Sequence, residues 1–347
     1  MRCAAFLVAC IVAGGTLGPA WLAGDAHAAP QPEETMLLPR SAVVLRAAAD
    51  ADGVVACVAG EDGGARALVR VGAGGRATTL AGAVRVEEMA LDRERVYWVG
   101  ADGILAIARA GGPVVPLAAR DWSLLAADSD ASRWAIALDG GDVYFSIDDA
   151  VGLVSKEGGE ARRLDGAPGA MLIGVDAQDV WWLESVLEDD DSTTQTLWAT
   201  PKRGGASRSV LAGLAQVLTA VVGDGAVFLL RETGRPGRGV IERVDARTRE
   251  ITALATDVAL YAPRVLAVQN GWLYWLDYPD GLHGPTGLRA VPDRGGDATA
   301  LGSFFPPASR LVAGSDAVYA FGEGLHAFSL RGTSGASAGL RKVEVNR

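Results

Sequence analysis

The chain has 347 residues, with 32 Lys and Arg against 42 Asp and Glu, a formal net charge of −10, three histidines and three cysteines. A balance this acidic argues against a nucleic-acid partner, which rewards basic surfaces, and it fits a soluble, monomeric, exported protein. Past the N-terminal segment no stretch is long and apolar enough to cross a membrane.

Residues 1–28 read as a secretory signal peptide. Arg2 precedes an apolar run from Cys3 to Leu22, and Ala26-His27-Ala28 supplies a cleavage site before Ala29-Pro30. Gly14, Gly15, Gly18 and Pro19 interrupt the run and weigh against an uncleaved anchor. Leu7-Val8-Ala9-Cys10 has the form of a lipoprotein box, but Cys10 follows too short an apolar segment, so lipid anchoring is not expected. Export leaves periplasm, cell surface and medium open. Residues 29–35 read as a linker. The mature chain then keeps one cysteine, Cys57, inside the apolar run 54–58. A lone cysteine cannot pair internally, and a buried, inert thiol is expected there.

Residues 36–347 follow a repeat. An apolar residue and an aromatic pair recur as Val96-Tyr97-Trp98, Val143-Tyr144-Phe145, Val180-Trp181-Trp182 and Leu273-Tyr274-Trp275. Weaker copies are Val54-Val55-Ala56, Val227-Phe228-Leu229 and Val318-Tyr319-Ala320. The second positions step by 42, 47, 37, 47, 46 and 45 residues. A Gly-Gly turn follows at Gly74-Gly75, Gly111-Gly112, Gly158-Gly159, Gly204-Gly205 and Gly295-Gly296, where double glycine supplies the positive φ of two-residue hairpins. Five residues after each second glycine comes an apolar position: Leu80, Leu117, Leu164, Val210 and Leu301. The fifth copy has Arg247-Thr248 instead of glycines.

Each unit reads as four short strands; in the second they cover 88–91, 95–99, 104–109 and 114–117. The second strand is apolar on both faces, with Val96 and Trp98 pointing one way and Tyr97 and Val99 the other. A strand buried on both faces needs cover on both sides, which a stack of blades provides and a two-sheet sandwich does not. Seven copies of this length predict an all-β, seven-bladed β-propeller of four-stranded antiparallel blades. Two segments compete for the outer strand of the last blade, 36–38 and 340–345. The alternation of the second favours the C-terminal one.

Chemistry is sparse. After removal of the leader only His283 and His326 remain, too few for a three-histidine metal site, and no His/Cys cluster has zinc spacing. His326 alternates with apolar residues and reads as a packed or rim side chain. There is no G-x-S-x-G elbow. Glycine-rich stretches lack the following helix and Lys-Ser or Lys-Thr pair of a phosphate loop. No cofactor is expected.

The departures from the repeat are more telling. The linker between second and third strands is short in the second unit. It grows to 184–194 in the fourth, 232–239 in the fifth and 277–287 in the sixth. In a meander these linkers share one face, so they predict a contiguous rim. Its candidate binding residues are Glu188, Asp189, Asp190, Asp191, Arg235, Arg238, Asp277, Tyr278, Asp280 and His283. The acidic run has oxygens that suit calcium, although its spacing is not that of an EF-hand. A solvated loop pairing loosely with Arg235 and Arg238 is the expectation. Tyr278 and His283 offer stacking and hydrogen-bonding surface. Trp98, Trp181, Trp182, Trp272 and Trp275 are assigned to packing between blades.

The aromatic pairs resemble those of secreted bacterial propellers of the YWTD and TolB-like kind. Leu273-Tyr274-Trp275-Leu276-Asp277 is the best match, because it keeps the terminal aspartate that the other copies lose. The resemblance covers nearly all of the mature chain and concerns the fold. It implies a binding module for a protein or a glycan. The alternative it implies is a metal-assisted lyase or hydrolase of the streptogramin-lyase type, which needs a catalytic histidine such as His283. The expectation is a non-catalytic exported propeller that binds a protein or cell-envelope glycan through the rim of blades 4–6.

Overall fold

The computed structural model of the chain describes residues 34–59, 66–72, 75–100, 102–119, 134–147, 150–165, 170–188, 193–260, 266–279, 284–304 and 308–330. The expected signal peptide, the segment 340–345, Asp189, Asp190, Asp191, Asp280 and His283 lie outside these residues. Every regular element among the described residues is a strand, and the strands form seven four-stranded antiparallel blades.

Blade 1 is the second part of β1 (Glu34–Asp50), then β2 (Gly53–Ala59), β3 (Arg66–Val71) and β4 (Ala77–Gly82). Blade 2 is β5 (Glu88–Leu91), β6 (Arg95–Gly100), β7 (Gly103–Ala108) and β8 (Val115–Ala119). Blade 3 is β9 (Ala135–Leu138), β10 (Asp142–Ile147), β11 (Ala150–Ser155) and β12 (Arg162–Asp165). Blade 4 is β13 (Met171–Val175), β14 (Asp179–Leu187), β15 (Thr193–Pro201) and β16 (Arg208–Leu214). Blade 5 is β17 (Val217–Gly223), β18 (Ala226–Glu232), β19 (Arg238–Asp245) and β20 (Ile251–Ala259). Blade 6 is β21 (Leu266–Gln269), β22 (Trp272–Asp277), β23 (Thr286–Pro292) and β24 (Thr299–Phe304). Blade 7 is β25 (Ala308–Ala313), both halves of β26 (Ala317–Ser329) and the first part of β1. The innermost strands touch in sequence, β1 to β5, β9, β13, β17, β21 and β25, and β25 returns to β1.

The second strands hold the blades together. Val96 and Trp98 of β6 pack with Val55, Cys57 and Leu68 of blade 1, while Tyr97 and Val99 pack with Val143, Phe145 and Ile147 of blade 3. That is the two-faced burial expected from the sequence. Blade 4 repeats it: Trp182 faces Tyr144 of blade 3, and Trp181 faces Val227 and Leu229 of blade 5. Trp98, Trp181, Trp182 and Trp275 are buried, and Trp272 is half-buried against the cluster that holds Trp275. Cys57 is a free thiol with no exposure, and burial pushes its pKa up to about 11, so it is inert at neutral pH.

The N-terminal segment closes the ring. Residues 34–38 pair antiparallel with 325–328 of β26, whose earlier half pairs with β25. Leu37 and Leu38 are buried there. The expectation of a C-terminal closing strand is therefore overturned, because the outer edge of β26 is already taken. The physical reason lies in connectivity rather than alternation. Residues 34–38 run directly into the inner strand of blade 1, so one strand spans two blades with little loop to close. The blade also begins two residues earlier than expected, inside the segment read as linker.

The glycine turns differ in detail from two-residue hairpins. Gly111, Gly158, Gly204 and Gly295 each donate to the carbonyl three residues back, and each has positive φ, as do the glycines that follow them. The turn is thus a tight four-residue turn followed by a second left-handed residue. Blade 5 reaches the same end without glycine. Asp245 accepts the backbone N–H groups of Arg247 at 3.0 Å and Thr248 at 2.9 Å, and Arg249 takes φ 62°. Those N–H donors hold the Asp245 carboxyl down to about 2.

Candidate functional site

Label the strands a to d from the axis outward. The chain reverses at every turn of a meander, so a–b and c–d turns leave one face of the ring. The b–c turns and the blade-to-blade connections leave the other.

On the b–c face, blade 4 stands out. Its linker, expected as a loop over 184–194, is mostly ladder: β14 and β15 pair from Asp179↔Pro201 to Leu187↔Thr193. Cross-strand polar bonds stiffen the extension. Trp198 Nε1 donates to Glu184 Oε2 at 2.8 Å, and Gln195 Nε2 donates to Ser185 Oγ at 2.9 Å. Val186 and Leu187 at its end are 44% and 69% exposed. Glu188 is exposed and accepts from Thr194 Oγ1 at 2.5 Å. In blade 5, Arg235 is exposed in the turn 233–237. Arg238 donates to the Asp257 carbonyl at 3.2 Å and lies 3.8 Å from its carboxylate. Its partner among the described residues is therefore in its own blade. In blade 6, Asp277 accepts from Arg289 Nη1 at 3.1 Å and from the Ala259 N–H of blade 5 at 3.3 Å.

Tyr278 is a correction. It is 1% exposed, its hydroxyl donates to the Ala308 carbonyl of blade 7, and burial pushes its phenol up. It is a core residue and presents no stacking surface. Among the described residues no hydrogen bond or ion pair joins Glu188, Arg235, Arg238 and Asp277 to one another. His326 is 1% exposed and stacks on Phe304 at 5.1 Å, so it is packed. Among the described residues no three His, Cys, Asp or Glu side chains gather as a metal group.

The a–b and c–d face carries a repeated inter-blade latch that the sequence reading missed. Arg109 pairs with Asp50, reaching its Oδ1 at 3.1 Å; Lys156 meets Asp92 at 2.8 Å; Lys202 meets Asp139 at 2.5 Å. In each case a cation on a c–d turn reaches an aspartate at the a–b turn of the preceding blade. The signal was present, since each cation stands two residues before a Gly-Gly pair. The equivalent positions in blades 5, 6 and 7 are Ala246, Asp293 and Leu330, which make the same backbone bond to their own a–b turn. A cavity of about 530 Å³ lies on this face between blades 1 and 2, lined by Asp52, Arg70, Arg93, Glu94 and Arg109.

Burial pushes the Asp92 carboxyl up, but bonds from Lys156 and from the Arg95 and Glu94 N–H groups outweigh it and leave a net depression. The Lys202 bond depresses Asp139. Both folded values lie below the ordinary carboxylate value of about 4. Their stabilisation is thus full above that pH and lost as pH falls through the folded values. Replacing Asp92 and Asp139 together by Asn is expected to lower the urea midpoint at pH 7. The difference from the parent should shrink steadily below about pH 4. A gap unchanged between pH 7 and pH 2.5 would show that the latches do not titrate in this way.

At the axis, the sequence reading also missed a charged layer. Arg46, Glu88 and Arg310 each stand nine residues before the landmark of their blade, Val55, Tyr97 and Tyr319. Glu88 faces Val99 across the ladder, and Arg310 faces Phe321 at the matching register. The same layer carries Ala135 in blade 3 and Thr219 in blade 5. Glu88 Oε2 lies 3.7 Å from Arg46 Nε and 3.7 Å from Arg310 Nη1. Arg46 also donates to the Glu87 and Leu45 carbonyls. These side chains lie toward the b–c face, since Glu87 N–H bonds the Val99 carbonyl at the end of β6.

No protein-family model matches the chain, and no curated protein matches it. Solved structures do. Puromycin hydrolase gives a TM-score of 0.59 at 17% identity over 84% of this chain and 52% of its own, so this chain spans about half the length of that protein. Oligogalacturonate lyase from Vibrio parahaemolyticus gives 0.58 at 11% identity, covering 86% of this chain and 94% of its own. Hydrazine synthase from Kuenenia stuttgartiensis gives 0.56 at 11% identity, covering 90% and 99%. Likeness at such identities is likeness of fold, and function is carried by sites rather than folds. At that level the resemblance to YWTD and TolB-like propellers holds, and the chain is a seven-bladed propeller.

Proposed function

We propose that the protein is an exported, non-catalytic propeller that binds a protein partner in the cell envelope through the b–c connections of blades 4–6. The carrying observation is the blade 4 hairpin, which presents Val186 and Leu187 at 44% and 69% exposure on a paired ladder. An aliphatic side chain taken from water into an interface contributes about 1.5–3 kcal/mol. Cross-strand pairing fixes that tip in advance, so little ordering entropy opposes binding. A protein suits the tip better than a glycan, since Val186 and Leu187 offer a sugar no hydrogen bonds. Export rests on the leader pattern of residues 1–28. Arg235 and Glu188 would frame the tip with charge of both signs.

The test replaces residues 186–194 by an Asn-Gly turn and compares affinity capture by parent and variant from the source envelope fraction. The parent is expected to retain a partner that the variant loses, with melting temperatures within a few degrees, because the hairpin lies beyond the stacked core. Identical partner sets for both would remove the rim from consideration. A chelator-sensitive activity that depends on His283 would replace this reading with that of a metal-assisted lyase or hydrolase.

A further inference from the structure

The interface between blades 1 and 2 departs from the repeat on the a–b and c–d face. In blades 2, 4 and 6 the landmark aromatic lies across the ladder from an alanine: Tyr97 faces Ala106, Trp181 faces Ala199 and Tyr274 faces Ala290. In blades 2 and 4 the ring reaches the a–b turn of its own blade, where Tyr97 donates to Asp92 at 3.1 Å and Trp181 to Asp176 at 2.8 Å. The latch cation of blade 3, Lys156, lies 5.5 Å from the centre of the Tyr97 ring. Blade 1 has Val55 in place of that ring and Arg70 opposite it. Asp50, the counterpart of Asp92, meets Arg109 of the next blade and no aromatic tip. The cavity of about 530 Å³ opens there, between the a–b turn of blade 1 and the latch cation of blade 2, the same two elements that flank Tyr97 one blade on. Small-molecule sites run from about 300 to 1,000 Å³.

The lining offers three kinds of contact. Arg109 spends the edge of its guanidinium on Asp50, on the Asp92 carbonyl at 3.3 Å and on Asp52 at 3.6 Å, which leaves its planar face for stacking. The guanidinium groups of Arg70 and Arg93 make no hydrogen bond or ion pair among the described residues, and neither does the Glu94 carboxylate. Asp52 has a side chain 71% exposed beside them. The turns 51–52, 92–94 and 109–114 around the cavity are described throughout, and Ala73 and Gly74 of the remaining turn bring no polar side chain.

We propose that this cavity binds a free amino acid with an aromatic side chain. The ring stands where blade 2 has Tyr97 and lies over the Arg109 guanidinium. The carboxylate takes parallel hydrogen bonds from Arg70 and Arg93, and the ammonium group faces Asp52 and Glu94. A ligand with one sign of charge meets side chains of its own sign across the cavity, whereas a zwitterion meets an opposite charge at each end. The site lies on the face opposite the blade 4 hairpin, so it stands or falls apart from the partner proposed there.

The probe is radiolabelled L-phenylalanine, measured by equilibrium dialysis against the full chain at neutral pH. Saturable binding is expected with a Kd of about 1 mM or tighter. 3-Phenylpropionate lacks the ammonium, phenethylamine the carboxylate and L-alanine the ring, and each should compete at least about tenfold more weakly than unlabelled L-phenylalanine. Arg70→Gln should weaken binding about tenfold, and Ala108→Trp should abolish it by filling the cavity. Both positions are exposed, so neither variant is expected to move the urea midpoint. Equal competition by 3-phenylpropionate or phenethylamine would overturn recognition of a zwitterion, and equal competition by L-alanine would overturn the place of the ring. Unchanged binding in both variants would move the site elsewhere, and no saturable binding up to about 10 mM would overturn the proposal outright.

Discussion

A chain that begins at residue 42 is expected to lose most of its resistance to urea. Residues 34–38 are the outer strand of blade 7, and they continue into the inner strand of blade 1. Removing them uncovers Leu325 and Phe328, which are otherwise 0% and 1% exposed, and deletes the buried Leu37 and Leu38. Each buried leucine contributes about 1.5–3 kcal/mol. The two together approach the lower part of the roughly 5–15 kcal/mol that holds a domain folded. The lost ladder adds to this and leaves an unpaired edge prone to association. A lower midpoint with a broadened transition is expected in urea unfolding followed by tryptophan fluorescence. The counterpart chain, ending at residue 330, is expected to unfold near the parent midpoint, because the outer edge of β26 is already paired. If the second truncation is the damaging one, the assignment of the closing strand is wrong.

This closure could not be read from the sequence because it is decided by which strand finds an open edge far away along the chain. Local patterns carried what local patterns can. Two-sided burial on the second strand was legible in Val96-Tyr97-Trp98-Val99, since only stacked blades cover both faces. The same logic misassigned Tyr278. One residue beyond the strand, it looked like loop surface, yet it turns inward to the Ala308 carbonyl of the next blade. Residues 184–187 were read as loop for lack of a turn signal, although cross-strand pairs such as Ser185 with Gln195 extend the ladder through them. The axial charges were invisible for another reason. Arg46, Glu88 and Arg310 are each unremarkable within their own strand. They become a cluster only when seven strands are laid around one axis, although a count of nine residues back from each landmark would have aligned them.

Trp181→Ala is expected to be the most damaging single substitution in blade 4. The indole has no exposure and fills the interface between blades 4 and 5 against Leu183, Val227 and Leu229. Truncating a buried tryptophan costs about 3–5 kcal/mol, from lost transfer energy and the cavity left behind. More than packing is lost here. Trp181 Nε1 donates to Asp176 Oδ2 at 2.8 Å, and the Arg208 guanidinium lies 5.9 Å from the ring. Trp181→Phe keeps most of the volume and removes the donor, so it isolates the hydrogen bond. A bond to a charged acceptor contributes about 1.5–3 kcal/mol, and the Phe variant should fall between parent and Ala. Half-buried Trp272 provides the contrast, and its Ala variant should be clearly milder. Urea midpoints with unchanged slopes would measure all three. The sharper comparison is with Trp182, on the other face of the same strand. It stacks on Trp198 at 5.4 Å and donates to Thr200 Oγ1 at 2.9 Å. Trp181 and Trp182 belong to separate interfaces, so Ala substitutions at both should add if the ring stays closed. A combined loss well below the sum would mean that detaching blade 4 from one neighbour already frees it from the other. The ring would then behave as a chain of interfaces, each dependent on the next.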